Sequence, residues 1–276
     1  MENRFKIIEK MLSCPHCKAS MYLSENGKSA YCHGAKRHCF DFSADGYLAM
    51  GQGGGDSKEA VRARKSFLSK DYYLHGAEEI CRVASKYINS SSYVVDAGCG
   101  EGYYTNKLAA ITENTVGFDL SKFACSAAAK SAKQQGVTNA LYITGSVFEL
   151  PLFDGCADMV VNVFAPCAED EYSRVLADGG YLVVVGAGEN HLMGLKEALY
   201  ENTYVNTSRA DMPKGMALVE KVVCSFDIEV CGNEDIGNLF LMTPYYWRTR
   251  ESDKEKLLSL DTLKTKIEFE ISVYKK

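Results

Sequence analysis

Short apolar runs and amphipathic stretches alternate along the chain. From Tyr93 onward, apolar runs predict strands near 93–97, 115–119, 140–144, 157–163 and 180–186. Between them, helical periodicity fits 102–111, 121–135 and 168–177, and Asp178-Gly179-Gly180 forms the turn before the fifth strand. Strands alternating with helices are the pattern of a doubly wound α/β sheet. Val222 to Val230 and Ile267 to Tyr274 instead alternate apolar and polar residues, which predicts a half-exposed antiparallel pair. Upstream, Lys58 to Leu68 predicts a basic helix, and a second helix fits Ala77 to Tyr87. Nearer the N-terminus, Asn26-Gly27 lies between short strand-like runs, a hairpin signal. Gly51-Gln52-Gly53-Gly54-Gly55-Asp56 reads as a linker or mobile loop. The resulting division is a small unit over 1–45, a linker with helices over 46–85, and a core over 86–276.

A length of 276 residues suits one large domain plus a small one. No stretch approaches 18 apolar residues and the first residues lack the apolar core of a signal peptide, so a soluble cytoplasmic protein is expected. The net charge of −5 argues against nucleic acid until its distribution is read. Residues 1–70 hold 12 Lys and Arg against 7 Asp and Glu, whereas the rest of the chain holds 19 against 29. An electropositive N-terminal region on an acidic body suits a polyanionic partner, and Arg62, Arg64 and Lys65 are candidates for phosphate contact. The competing reading is an ordinary solvated face.

Eleven cysteines in a chain of this length do not form a dense disulfide framework, so free thiols and a metal site are expected. Cys14-Pro15-His16-Cys17, then Cys32, then His38 beside Cys39 give tetrahedral zinc spacing around the predicted hairpin, the pattern of a zinc ribbon. His38, His33 and Cys39 compete for the fourth position, and His16 is a bystander. Four protein ligands leave no open position, so the metal would be structural.

Residues 94–105 carry the candidate chemistry. Val94 and Val95 end a buried strand, Gly98, Gly100 and Gly102 follow at alternate positions, and a helix begins at once. Such a turn presents backbone N–H groups to a ligand, and glycine leaves room beside them. The G-x-G-x-G spacing, with Asp96 two residues ahead, resembles motif I of the class I S-adenosylmethionine (SAM) methyltransferases. Asp119 ends the second strand, where an acid accepts hydrogen bonds from ribose hydroxyls. The rival is a tight structural turn in another α/β sheet.

The ribbon, the Asp-x-Gly-Cys-Gly-Glu-Gly-Tyr-Tyr-Thr loop, Ala165-Pro166-Cys167, His191-Leu192-Met193 and Met242-Thr243-Pro244 with Trp247-Arg248 occur in an order that resembles the 23S rRNA (guanine-N1)-methyltransferases of the RlmA type. The resemblance covers nearly the full length. It implies a seven-stranded Rossmann-like sheet with an N-terminal zinc ribbon, and methylation of guanine N1 in a 23S rRNA hairpin. It implies zinc on Cys14, Cys17, Cys32 and His38, although five residues separate Cys32 from His38, which leaves His33 and Cys39 open. It places SAM against Tyr73, Asp96, Gly98, Gly100, Glu101, Gly102, Asp119 and His191, and leans towards a homodimer. Asn162 and Phe164, after the fourth strand, are candidates to hold and stack the base, with Tyr245, Tyr246, Trp247 and Arg248 as a second stacking surface. Two rivals remain: a methyltransferase for small molecules with a structural ribbon, and a non-catalytic binding protein.

Overall fold

The computed structural model describes residues 2–51, 53–207 and 213–276. Gln52 therefore lies outside the described residues. The chain begins with α1 (Glu2–Ile8) and an antiparallel sheet of β1 (Met21–Leu23), β2 (Ser29–Cys32) and β3 (Cys39–Asp41). Next come β4 (Leu48–Ala49), α2 (Lys58–Leu68) and α3 (Leu74–Ala84). The core runs β5 (Tyr93–Ala97), α4 (Tyr103–Leu108), β6 (Asn114–Asp119), α5 (Lys122–Gln134), β7 (Ala140–Thr144), β8 (Ala157–Val163), α6 (Glu169–Val175), β9 (Leu176–Ala187) and α7 (Met193–Leu199). It closes with β10 (Ala217–Cys231), α8 (Asn233–Leu241), a 3-10 turn (Pro244–Trp247), α9 (Glu251–Leu258) and β11 (Thr262–Lys275).

The large sheet has eight strands in the order β10-β11-β9-β8-β5-β6-β7-β4. β4 to β9 run parallel, while β11 is antiparallel to both β9 and β10. From β5 the chain steps outward to β6 and β7, then returns to β8 on the opposite side of β5. That reversal opens a crevice above the carboxyl ends of β5 and β8, where ligands of doubly wound sheets bind.

Alternation along the strands sorts the core into two layers. Val94, Met159, Val161 and Val183 face Phe67, Ile80, Val83 and Leu239 from α2, α3 and α8. Val95, Val116, Ile143, Val160 and Leu182 share the other layer with Phe5, Ile8, Tyr172 and Val175. The small sheet joins this second layer through Met21, Ala30 and Phe40. α1 packs on β6 and β7, so the first dozen residues belong to the body of the sheet as much as to the ribbon.

The architecture is the class I methyltransferase sheet. It has one strand more than the seven expected, because two-residue β4 is too short to leave a periodic signal. β9 begins at Leu176, and the predicted turn at 178–180 is an irregularity within it, with Gly179 at φ 79°. The glycine stretch does not hang free. Gly51 lies against the Thr144 and Gly145 backbone, and Gly55 against Ser121, where an added Cβ would sit 2.9 Å from the Ser121 nitrogen. Ser121 Oγ donates to the Asp56 carbonyl at 2.7 Å, fastening this strap along the sheet edge. Among the described residues no helix is long and apolar enough to cross a membrane.

Candidate active site

The turn from β5 into α4 takes its shape from three left-handed glycines, with φ of 90° at Gly98, 54° at Gly100 and 83° at Gly102. A Cβ on Gly98 would lie 2.5 Å from Ala165 Cβ, and one on Gly102 would lie 2.8 Å from Ala128 Cβ and Tyr142 Oη. The loop is therefore pressed between the 164–166 turn and α5, and only bare backbone fits. Asp96 stands under it, 1% exposed, accepting the Thr105 hydroxyl at 2.5 Å. Burial raises its carboxyl to about 7.

Asp119 closes the loop from the side. Its Oδ2 accepts the Gly100 N–H at 3.0 Å and its Oδ1 accepts the Ser121 N–H at 2.8 Å. Glu101 is 4% exposed, yet its Oε2 has no hydrogen-bond partner among the described residues. The nearest cation is the Arg64 Nη1, 3.8 Å away, and burial raises the Glu101 carboxyl to about 7. Arg64 also pairs with Asp56. α2 thus turns Arg64 inward to the loop, not outward as a phosphate contact, while Arg62 stays exposed.

These groups line a cavity of about 660 Å³ at the switch point, together with Tyr73, Phe164 and His191. Tyr73 is buried and meets the rings of His191 and Phe269 edge-on at 6.2 and 5.4 Å. His191 Nδ1 accepts the Glu268 N–H at 3.1 Å, so its proton sits on Nε2. Burial lowers its pKa to about 4, which keeps the ring neutral. Phe164 stacks on it at 5.5 Å and 27°, with a strained φ of 51° and 44% of its surface exposed. Asn162 is buried. Its Nδ2 lies 3.2 Å from the Ala97 carbonyl, 3.1 Å from that of Pro166 and 3.0 Å from Tyr172 Oη, so its nitrogen faces the protein. Met242, Thr243, Pro244 and Tyr245 form the far wall, while Trp247 is 79% exposed beyond it.

A second pocket of about 450 Å³ adjoins the first and shares Phe164, Ala165, Ala187 and Asn206 with it. It extends over the face of β9 and β11.

In the ribbon, the donor atoms of Cys14, Cys17, Cys32 and His38 lie within 4.8 Å of one another. His38 Nδ1 is 3.4 Å from both Cys14 Sγ and Cys32 Sγ, and Cys17 Sγ is 3.6 Å from Cys32 Sγ. His33 stacks on Tyr22 instead, and Cys39 is exposed beside Asp41.

A family model described as a methyltransferase domain matches residues 88–240. The chain is 31% identical over 203 residues to the 23S rRNA (guanine(748)-N(1))-methyltransferase of Streptomyces fradiae, a match covering 70% of this chain and 69% of that one. It is 28% identical over 263 residues to a Bacillus subtilis (strain 168) protein named "Putative 23S rRNA (guanine-N(1)-)-methyltransferase YxjB", covering 90% of each. The chain belongs to the 23S rRNA (guanine-N1)-methyltransferase family.

As a SAM-dependent methyltransferase the chain needs room and partners for SAM, and the larger cavity offers both. The orphaned Glu101 Oε2 matches an ammonium, and each Asp119 oxygen keeps a lone pair for a ribose hydroxyl. Above Gly100 an added Cβ would meet only the flexible tip of Arg64, 3.4 Å away. The ribbon of this methyltransferase also fits a metal. Tetrahedral zinc with Zn–S near 2.3 Å and Zn–N near 2.0–2.1 Å sets its donors roughly 3.5–3.8 Å apart, close to the spacings above. Gly34 makes room for it, since a Cβ there would lie 2.6 Å from Cys17 Sγ. Sequence reasoning placed the glycine loop and its acids. It missed Asp56 and Arg64 as cavity residues, because a docked glycine strap and a half-turned helix look like linker and surface.

Proposed function

We propose that this methyltransferase modifies N1 of a guanine in a 23S rRNA hairpin, with SAM as donor and a structural zinc in the ribbon. The observation that carries the reading is Phe164, an exposed aromatic ring that the larger cavity and the adjoining second pocket share as a wall. Similarity to a guanine-N1 rRNA methyltransferase supports the choice of base.

SAM, when bound, supplies a methyl group already activated by a sulfonium. Glu101 receives the methionyl ammonium, with Arg64 steadying its carboxylate. Asp119 receives the ribose hydroxyls, and the Gly98–Gly102 loop fits against the methionyl part. Tyr73 and neutral His191 close the inner wall and keep water out. Asn162 acts as a positioning residue: its amide ties Ala97, at the end of β5, to Pro166, and so fixes the turn that carries Phe164. Phe164 offers its exposed ring as a stacking surface for a base. Alignment of this kind supplies on the order of 7–11 kcal/mol at its upper limit.

The N1 edge is occupied in a base pair, so the guanine must come from a loop or leave its stack. The basic N-terminal region, with Trp247 and Tyr246 near the rim, would hold the surrounding RNA. Incubation with a 23S rRNA hairpin and methyl-labelled SAM, followed by nucleoside mass spectrometry, tests the reading. 1-Methylguanosine is expected. Label found only in small molecules would favour the rival substrate class.

A further inference from the structure

We propose that the 450 Å³ pocket receives the guanine base and that Glu270 binds its N1–H and N2–H edge and accepts the N1 proton. The inference rests on the substrate reading above. The pocket shares Phe164, Ala165, Ala187 and Asn206 as walls with the cofactor cavity, so a base inside it would lie beside the methyl donor. Its volume falls in the range of small-molecule sites.

Glu270 is the sole carboxylate among the described residues that line the pocket. Guanine presents two adjacent donors, N1–H and N2–H, which match the two oxygens of one carboxylate; adenine presents an acceptor at N1 and would be repelled. β11 lies between β9 and β10, so Glu270 stands on a rigid strand opposite Gly186 and Val223. Lys221 on β10 pairs with it at 3.0 Å, which fixes its direction. Tyr204 and Tyr274 line the same pocket, and Glu268 lies two residues away on the same strand face. Gly186 is the second observation. A Cβ there would meet nothing within 4 Å, so neither a neighbouring side chain nor a positive φ requires glycine. What its absent side chain leaves is space, directly across from the carboxylate.

In the reaction N1 exchanges its bond to hydrogen for a bond to the methyl carbon. The proton passes to a Glu270 oxygen and then to water, and the electron pair of the broken carbon–sulfur bond stays on sulfur. General-base catalysis contributes about 10²–10⁴-fold.

Steady-state methylation of a 23S rRNA hairpin by full-length Glu270→Gln and Gly186→Val tests the assignment, with SAM affinity measured by calorimetry. Glu270→Gln should bind SAM as the wild type does and lose about 100-fold or more in kcat. Its rate should climb with pH, as hydroxide replaces the lost base, where the wild type levels off. Gly186→Val, with a side chain that suits a strand, should raise KM for RNA at least tenfold without changing SAM affinity. A Glu270→Gln enzyme with wild-type kcat and pH profile would overturn the assignment while leaving the substrate reading intact. Wild-type protein that forms no 1-methylguanosine would overturn both.

Discussion

The Arg64 guanidinium lies 3.8 Å from the Glu101 carboxylate, directly above Gly100. It is near enough to steady the charge and too far to hydrogen-bond it. Burial raises Glu101 to about 7 against this attraction, and Asp56 and Asp119 push in the same direction as burial. Two consequences follow from a raised carboxyl. In the free protein the folded state keeps a proton that the unfolded state has lost above its usual value near 4.5. Stability from this group should therefore fall as pH rises towards 7, by about 1.4 kcal/mol per pH unit at most. Asp96, also raised to about 7, acts in the same sense but lies below the loop.

Ligand binding should run the opposite way. An ammonium pairs with the ionised form of Glu101, so SAM affinity should strengthen as pH rises through 7. Calorimetric titrations at about pH 6, 7 and 8 should show a Kd falling up to tenfold per unit at the acid end. Glu101→Gln should weaken binding and flatten the profile. A variant that keeps the wild-type slope would assign the proton to another group.

Two glycines of one loop should separate folding from binding. Gly102→Ala drives a Cβ against Ala128 and Tyr142 from a left-handed φ, and Tyr142 is held by its hydrogen bond to Asn106. Neither neighbour can retreat without shifting α5 or β7, so a loss of roughly 2–3 kcal/mol is expected. That should lower Tm by several degrees in a calorimetric scan. At Gly100 the new Cβ meets only a flexible arginine tip. Gly100→Ala carries only the cost of its left-handed φ, about 1–2 kcal/mol, so it should lower Tm by less than Gly102→Ala and yet bind SAM at least tenfold more weakly. Equal melting losses at both positions would mean that the loop is packed alike throughout.

The contrast shows what the sequence could convey. The β5 strand, the three glycines and Asp119 were legible because tight turns and buried runs force particular residues at particular intervals. Asp56 and Arg64 were not, because what turns them inward is the docking of a strap on Ser121, a contact 65 residues apart along the chain. β4 was invisible for a related reason: two residues, Leu48 and Ala49, pair with Ile143 and Thr144 without any periodic pattern of their own. Asn162 was legible as a polar residue at the end of β8 but not in its orientation. Its amide is held by Ala97, Pro166 and Tyr172, three contacts that exist only once the sheet has closed. The open floor at Gly186 gave no signal at all, since a glycine that needs no special φ looks like any other.

The ribbon offers a test in which alternative ligands give opposite results. Three cysteine sulfurs and an imidazole gather within 4.8 Å, the donor set of a tetrahedral zinc site. The surrounding strands span three or four residues each, and their buried side chains, Met21, Ala30 and Phe40, are too few to hold that cluster alone. One zinc per chain is therefore expected by elemental analysis. His38→Ala should lose it, whereas His33→Ala and Cys39→Ser should retain it, because His33 stacks on Tyr22 and Cys39 points to Asp41. Chelation should expose residues 13–45 to protease and reduce RNA methylation. SAM affinity should stay within about twofold, since the cofactor cavity takes no wall from the ribbon. Variants are a better probe than deletion of residues 1–45, because that deletion would also remove Phe5, Ile8 and Leu12 from the layer beneath β6 and β7. Full zinc content in His38→Ala would transfer the fourth position to His33 or Cys39, and unchanged RNA methylation after complete zinc loss would remove the ribbon from substrate binding.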